Sequence, residues 1–416
     1  MKGDIAMIQN KFTPIPNDTL ILGADRYFSM DGKKTHINNN TLIVGRSGSG
    51  KSRYFVKPNL LQLNGSYVVS DPKGQLYKEF KDYFEANGYE VIHMDFIHPS
   101  ESAKYNPFQN LYTTNDVRSL AHTLVFNDKN ARMNDPYWEN MGELLLMGLI
   151  GYIWESPYLK RTEKNISMLQ DLIMKCNRDS KTIKPGERNL SEMDTLMDKH
   201  KQRIAMVGYE SWAYKQYQKA ASAPNRTFQT ILSTCFSKLV IFDSNEIANM
   251  TSENGFRFDD LGKRKIALFV EVSDTDRSMD ILSNLFYSQL INSLCSYADE
   301  KCENGALPIP VQFILDDFST NVKIDNFDNT ISNIRSRNIS TMLMIQDIAQ
   351  LKATYGESAS TIISNCANIL YLGGTYESAN MFSKWANKAP HEFLNLPLDT
   401  GWLFRTVVLC QEKIQT

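Results

Sequence analysis

The chain has 416 residues, with 45 Lys and Arg against 47 Asp and Glu, a net charge of −2, and 42% hydrophobic residues. That balance excludes a global basic field, so any nucleic-acid contact must come from a local patch or the lining of an assembled pore. The length predicts two domains rather than one core.

In chain order, Met1 to Phe12 are too polar for a signal peptide. An apolar run at 41–44 reads as a short buried strand. It leads into Gly45-Arg46-Ser47-Gly48-Ser49-Gly50-Lys51-Ser52, a complete G-x-x-x-x-G-K-[ST] phosphate loop. The glycines let the backbone curl so that successive N–H groups face the β- and γ-phosphates. Lys51 adds a cation, and the Ser52 hydroxyl is placed to ligate Mg²⁺. A helix starting after the loop would add its free N–H groups and positive dipole end. Gly45 to Ser52 are therefore the expected binding residues for a nucleoside triphosphate.

Further strands are expected at 66–70 and 90–95, with a helix around 75–86 that stops at Asn87-Gly88. From 111 to 239 the strand signal vanishes. Helical periodicity covers 117–126, 137–154, 167–175, 191–205, 211–221 and 227–239, and 178–188 reads as an exposed loop around Pro185-Gly186. The apolar run 141–154 contains Glu143 and falls short of the ~20 residues a bilayer span needs, so it reads as a buried core helix of a soluble protein. Strands return at 266–272, 311–315, 341–345, 369–372 and 402–409, with helices at 279–297 and 327–335. The fold class is α/β: a mostly parallel sheet covered on both faces, interrupted by an all-α insertion. Residues 1–110 and 240–416 form the expected nucleotide-binding domain and 111–239 the all-α domain. The six cysteines (Cys176, Cys235, Cys295, Cys302, Cys366, Cys410) include no C-x-x-C pair, which points to a reducing compartment without structural zinc.

A phosphate loop needs partners that manage the metal and water. Residues 310–317, Pro-Val-Gln-Phe-Ile-Leu-Asp-Asp, form an apolar strand ending in two carboxylates. Asp316 is expected to hold Mg²⁺, directly or through water, and Asp317 to orient or deprotonate the attacking water. Arg335 and Arg337 precede the 341–345 strand and suit either a finger reaching a neighbour's γ-phosphate or a solvated helix end. Gln346 at that strand's tip suits γ-phosphate sensing. Two basic clusters, Lys199-His200-Lys201-Gln202-Arg203 with aromatics downstream (Tyr209, Trp212, Tyr214, Tyr217) and Lys263-Arg264-Lys265, read either as single-strand binding surfaces or as solvated faces.

With these residues in place, the chain resembles the conjugative type IV secretion coupling ATPases, the TraG-like group. The resemblance runs from Thr41 onward: Asn40 to Ser52, Lys57-Pro58-Asn59, Asp71-Pro72-Lys73-Gly74, Tyr105-Asn106-Pro107-Phe108 and Asp135-Pro136-Tyr137-Trp138. It continues through Ile314 to Phe318, Arg335 to Ile339, Gln346 with Gln350-Leu351, and Ile363-Ser364-Asn365-Cys366 leading to Leu372-Gly373-Gly374. It implies a RecA-like P-loop NTPase domain with an all-α insertion, acting as a homo-hexamer and allowed as a monomer in isolation. ATP and Mg²⁺ would power transfer of single-stranded DNA, with its attached relaxase, to a type IV secretion channel. Lys51 and Ser52 match the phosphate and metal positions, Asp316 the metal position, Arg335 the trans-acting arginine and Gln346 the motif glutamine. The insertion's surface would dock relaxosome proteins. The alternative is a nucleotide-gated adaptor that docks the relaxosome while another ATPase does the work.

Two departures stand out. The group usually carries Glu where Asp317 stands, which would seat the water differently and slow turnover. Its members also usually begin with transmembrane helices, and this sequence shows none. A cytoplasmic protein at the inner face of the membrane is expected, held through a separate membrane subunit or an N-terminal anchor outside this sequence.

Overall fold

The computed structural model describes residues 18–24, 26–126, 136–178, 190–321, 324–397, 399–405 and 412–415. Eleven strands are present among them. The hairpin β1 (Thr19–Ile21) and β2 (Tyr27–Ser29) stands alone. The others are β3 (Thr41–Val44), β4 (Ser66–Ser70), β5 (Glu90–Asp95), β6 (Ile266–Glu271), β7 (Val311–Leu315), β8 (Ile339–Ile345), β9 (Asn368–Tyr371), β10 (Thr400–Arg405) and β11 (Glu412–Gln415). They form one nine-stranded sheet in the order β11-β10-β9-β3-β8-β7-β4-β6-β5.

The pairs from β9 through β6 are parallel, and β10 and β11 add an antiparallel edge. Strands β3, β4 and β7 are buried at every residue, as a parallel sheet covered on both faces requires. The expected α/β class with a mostly parallel sheet is what the chain adopts. Because parallel strands share a direction, β3, β8, β7 and β4 present their carboxyl ends along one edge in that order. Ligands bind at that edge in such sheets.

Two compact units divide the chain. One comprises Met1–His93, Phe258–Asp274 and Leu294–Thr416; the other comprises Met94–Arg257 and Thr275–Ser293.

The sheet unit owes its local geometry to a few polar side chains. After the phosphate loop, Ser52–Val56 forms a π-helical turn in which the Lys57 N–H donates to the Ser52 carbonyl, followed by Lys57–Leu60 in α-geometry. Pro58 accounts for the widened turn. It has no N–H to give Tyr54, and its ring would strike that carbonyl in an α-turn. The buried Asn59 amide accepts from Ile21 N (2.9 Å) and donates to Ile21 O (2.9 Å), pairing with β1 as a strand edge would. Asn40 clasps from below, accepting from Thr341 N (3.1 Å) and donating to Asn365 O (3.2 Å).

The other unit is helical over its described residues from 114 to 250. Its centre is the helix Pro136–Glu155, where the sequence predicted helical periodicity over 137–154 and a buried core helix over 141–154. The helix Trp212–Ala221 crosses it so closely that a Cβ at Gly148 would lie 2.7 Å from Tyr217 Cα. Only glycine permits that approach. No helix among the described residues is long and apolar enough to cross a membrane. Asp135 and residues 179–188 of the expected loop lie outside the described residues, whereas Arg178, expected at the loop's exposed start, is buried, donating to Ala221 O (3.0 Å) and lying over the Phe228 ring.

Glu155, at the end of the central helix, accepts from Ser211 Oγ (2.7 Å) and Ala213 N (3.0 Å) and pairs with buried His200 Nε2 (3.0 Å). Burial pushes its carboxyl up, but the hydrogen bonds from His200, Ser211 and Ala213 outweigh that and hold it below the usual range. A depressed carboxylate stabilises the fold above its unfolded pKa, about 4.3 for glutamate, and that stability is lost as pH falls through the folded value. Glu155→Gln is expected to cost about 2 kcal/mol at pH 7 and to flatten the loss of stability below pH ~4. Denaturant melts at pH 7 and pH 3 check both; an unchanged acid limb would remove Glu155 from it.

Candidate active site

The phosphate loop follows β3 directly. Gly48 and Gly50 take φ of +78° and +86°, values that L side chains rarely adopt, and these turn the backbone around the cleft. The loop is tied to the sheet by Gly45 N to Ile345 O (3.0 Å) and by the Arg46 guanidinium, which donates to Gly374 O. The Lys51 ammonium donates to Gly45 O (2.7 Å) and Arg46 O (3.4 Å), folded back along its own loop.

The tips of neighbouring strands complete the site. Ser52 Oγ donates to Asp316 Oδ2 (3.1 Å) from the end of β7, and the Asp317 N–H donates to Asp316 Oδ1 (3.0 Å). Gln346 Nε2, at the end of β8, donates to Asp317 Oδ1 (3.2 Å). Asp317 itself has φ +48°, a region where Asp and Asn are better tolerated than longer side chains. Burial pushes the Asp316 carboxyl up and the Asp317 charge adds to it, while Lys51 and Ser52 oppose.

These groups line one cleft of about 370 Å³, with Arg46 to Arg53, Asp71 to Lys73, Asp274, Asp316, Asp317 and Gln346 in its wall. Ser49 Oγ is buried there without a hydrogen-bond partner among the described residues. The hard oxygens of Ser52 and Asp316 suit a small divalent cation. Of the expected site residues, Gly45 to Ser52, Asp316, Asp317 and Gln346 converge.

Arg335 does not join them. It precedes β8, so it lies at the opposite end of that strand from Gln346, exposed, with one contact to Gly32 O (3.4 Å). Arg337 is committed elsewhere, with a bidentate pair to Asp299 (2.9 and 2.7 Å) and a bond to Asn333 O (2.7 Å). The two arginines, alike in spacing alone, are thereby told apart.

The basic cluster at 263–265 is largely paired. Lys263 pairs with Asp259, Arg264 with Asp260 and Glu90, and Lys265 donates to Leu63 O. In the other cluster His200 is buried, Lys201 covers the Tyr214 ring and Arg203 the Tyr158 ring, and Tyr217 is buried; Tyr209 stays exposed.

Sequence reasoning gave no role to Asp71 or to Asp347. Asp71, one residue past β4, accepts from Gln75 N (3.2 Å) and Tyr77 N (2.8 Å) and so starts the helix Gln75–Ala86 beside the cleft. Asp347 caps the helix Ile348–Tyr355. Each is an acid placed between a strand and a helix, a capping signal legible in retrospect.

The family model described as Type IV secretory system Conjugative DNA transfer matches residues 2–389. The chain is 24% identical over 402 residues to the conjugal transfer protein TraG of Escherichia coli, covering 91% of this chain and 60% of TraG. The chain thus spans about three-fifths of that relative's length. Among solved structures it is similar to the bacterial conjugative coupling protein TrwBdeltaN70 in complex with sulphate, with a TM-score of 0.66 at 14% identity, over 99% of this chain and 92% of that one. It is also similar to the plasmid coupling protein TrwB in complex with ADP and Mg²⁺, with a TM-score of 0.64 at 14% identity, over 99% and 92% of the two chains. That likeness places the RecA-like fold.

Proposed function

We propose, from the premise that the chain belongs to the type IV secretory system conjugative DNA transfer family, that it is a coupling ATPase. In this reading it binds and hydrolyses ATP with Mg²⁺ and delivers a relaxase–single-stranded DNA complex to the secretion channel. The carrying observation is the meeting of the phosphate loop with Ser52–Asp316 and Gln346–Asp317 at three adjacent strand tips. The ADP–Mg²⁺ complex of TrwB supports the same choice of ligands.

Lys51 exchanges its loop carbonyls for phosphate oxygens, and the loop N–H groups share the remaining charge. Ser52 and Asp316 hold Mg²⁺, which when bound neutralises charge on the transferring phosphoryl group. Asp317 accepts the proton of the attacking water or orients it, with its carboxylate aimed by Gln346. Residues 1–110 and 240–416 act as the motor domain. The all-α segment 111–239 docks relaxosome proteins. The working assembly is a homo-hexamer in which Arg335 completes a neighbour's site, at the inner face of the membrane next to the secretion channel or a membrane subunit.

The deciding experiment measures ATP turnover with and without single-stranded DNA while recording the oligomeric mass. DNA-stimulated turnover in a ring is expected. Turnover indifferent to DNA in every oligomeric state would overturn the motor and leave the nucleotide-gated adaptor. Asp317→Glu is expected to raise turnover several-fold, within about one order of magnitude, because the longer carboxylate reaches the water more closely. At φ +48° it should also cost up to about 1 kcal/mol of stability. Steady-state kinetics paired with thermal melts read both, and a fall in turnover would refute the geometric account.

A further inference from the structure

The cleft has two walls that the chain builds separately. Gln346, at the tip of β8, holds Asp317 (3.2 Å). The turn at 373–375, after β9, supplies Gly374 O to the Arg46 guanidinium of the phosphate loop. Asp347 lies between them and touches both sides. One carboxylate oxygen accepts from Ala349 N (2.8 Å), capping the helix that follows β8. The other accepts from Thr375 N (3.1 Å), Thr375 Oγ1 (2.6 Å) and Ser378 Oγ (2.9 Å), at the start of the helix Tyr376–Ala386. Ser378 Oγ in turn accepts from Ile348 N (3.3 Å). A cap needs one oxygen. The second takes two bonds from Thr375, in the turn that holds Arg46, and a third from Ser378 in the helix after it, and the residue is only 7% exposed.

We propose that Asp347 is a positioning residue that clamps the β8 tip to the 373–375 turn, so that Gln346–Asp317 and the Arg46 side of the phosphate loop move as one. The inference rests on the reading that this cleft hydrolyses ATP. A nucleotide that displaces the Asp317–Gln346 contact thereby also shifts the Gly374 carbonyl and the helix Tyr376–Ala386. The clamp is a two-sided hydrogen-bonded element, the kind of contact through which a local change at one group is felt at another.

Asp347→Asn separates the clamp from the cap. Its amide oxygen still accepts from Ala349 N, while its NH₂ group faces the Thr375 N–H and cannot accept from it. The experiment measures ATP affinity, steady-state turnover with single-stranded DNA and thermal unfolding for the wild-type protein, Asp347→Asn and Ser378→Ala. Affinity within about 3-fold of wild type and turnover reduced about 10-fold or more are expected for Asp347→Asn, with Ser378→Ala lower by a smaller factor. Turnover within 2-fold of wild type in both variants, or turnover falling only in step with the folded fraction, would overturn the clamp. If Asp347→Asn fails to fold, Thr375→Val decides instead, because it removes the shortest bond of the clamp while Asp347 keeps its cap on Ala349 N.

If the wild-type protein shows no turnover, the ATPase reading fails, and the clamp is judged by amide hydrogen exchange with Mg²⁺ and the non-hydrolysable analogue AMPPNP. Protection of 373–378 that appears in the wild type and is lost in Asp347→Asn upholds the clamp. Equal protection in the two overturns it.

Discussion

Lys51→Ala is expected to lower ATP turnover at least ~10²-fold while the protein stays folded. Lys51 is 8% exposed, and its ammonium is held by two carbonyls of its own loop, Gly45 O and Arg46 O. Truncation leaves those acceptors at the wall of a cleft of about 370 Å³ wide enough to admit water. The stability cost should therefore stay within about 1 kcal/mol, the net worth of an ordinary hydrogen bond. The catalytic cost is larger because the two arginines of the loop that also line the cleft are engaged elsewhere. Arg46 is engaged with Gly374 and Arg53 stands over the Tyr54 ring. Charge developing on the γ-phosphate then lacks its nearest cation. Turnover assays and thermal melts on the same preparation separate the two costs. DNA transfer at the wild-type rate by this variant would refute the motor reading.

The sheet was largely legible in the sequence because its strands are short apolar runs with hard stops. The stretches 66–70 and 311–315 were predicted to their final residues, bounded by Gly65 and Asp71 and by Pro310 and Asp316. β8 begins two residues before its expected start, because Asn338 at φ +63° turns the chain straight into the ladder with β7. The β1–β2 hairpin was missed. Three-residue strands carry no usable period, and what fixes β1 is the Asn59 side chain, 38 residues away.

The site divided in the same way. Groups contiguous with a strand tip, such as Lys51, Asp316 and Gln346, could be read in order. Asp347 could not be assigned, because its partners Thr375 and Ser378 come together with it only through the β8–β3–β9 order. Nor could the sequence show which cations were already paired. Arg264 looks free until Asp260 and Glu90 are seen beside it.

Arg335→Ala is expected to abolish most turnover, by about 10³-fold, without lowering stability, whereas Arg337→Ala should do the reverse. β8 separates Arg335 from the tip that carries Gln346, and its seven residues span about 20 Å. An arginine at one end cannot serve the cleft at the other, so any part it plays in turnover must be in a second copy of the chain. Arg337 is bound to Asp299 through two hydrogen bonds on a partly exposed surface, worth about 1 kcal/mol, and has no free donor fork to lend. Mixing decides the matter more sharply than either variant alone. In a head-to-tail ring, Lys51→Ala subunits still offer Arg335, and Arg335→Ala subunits still offer Lys51. A 1:1 mixture of two inactive proteins should therefore recover about a quarter of the sites. Recovery that vanishes on dilution to monomers identifies a shared site. Wild-type turnover by Arg335→Ala would instead show that each chain hydrolyses ATP with its own residues only, and the arginine would then be a solvated helix end.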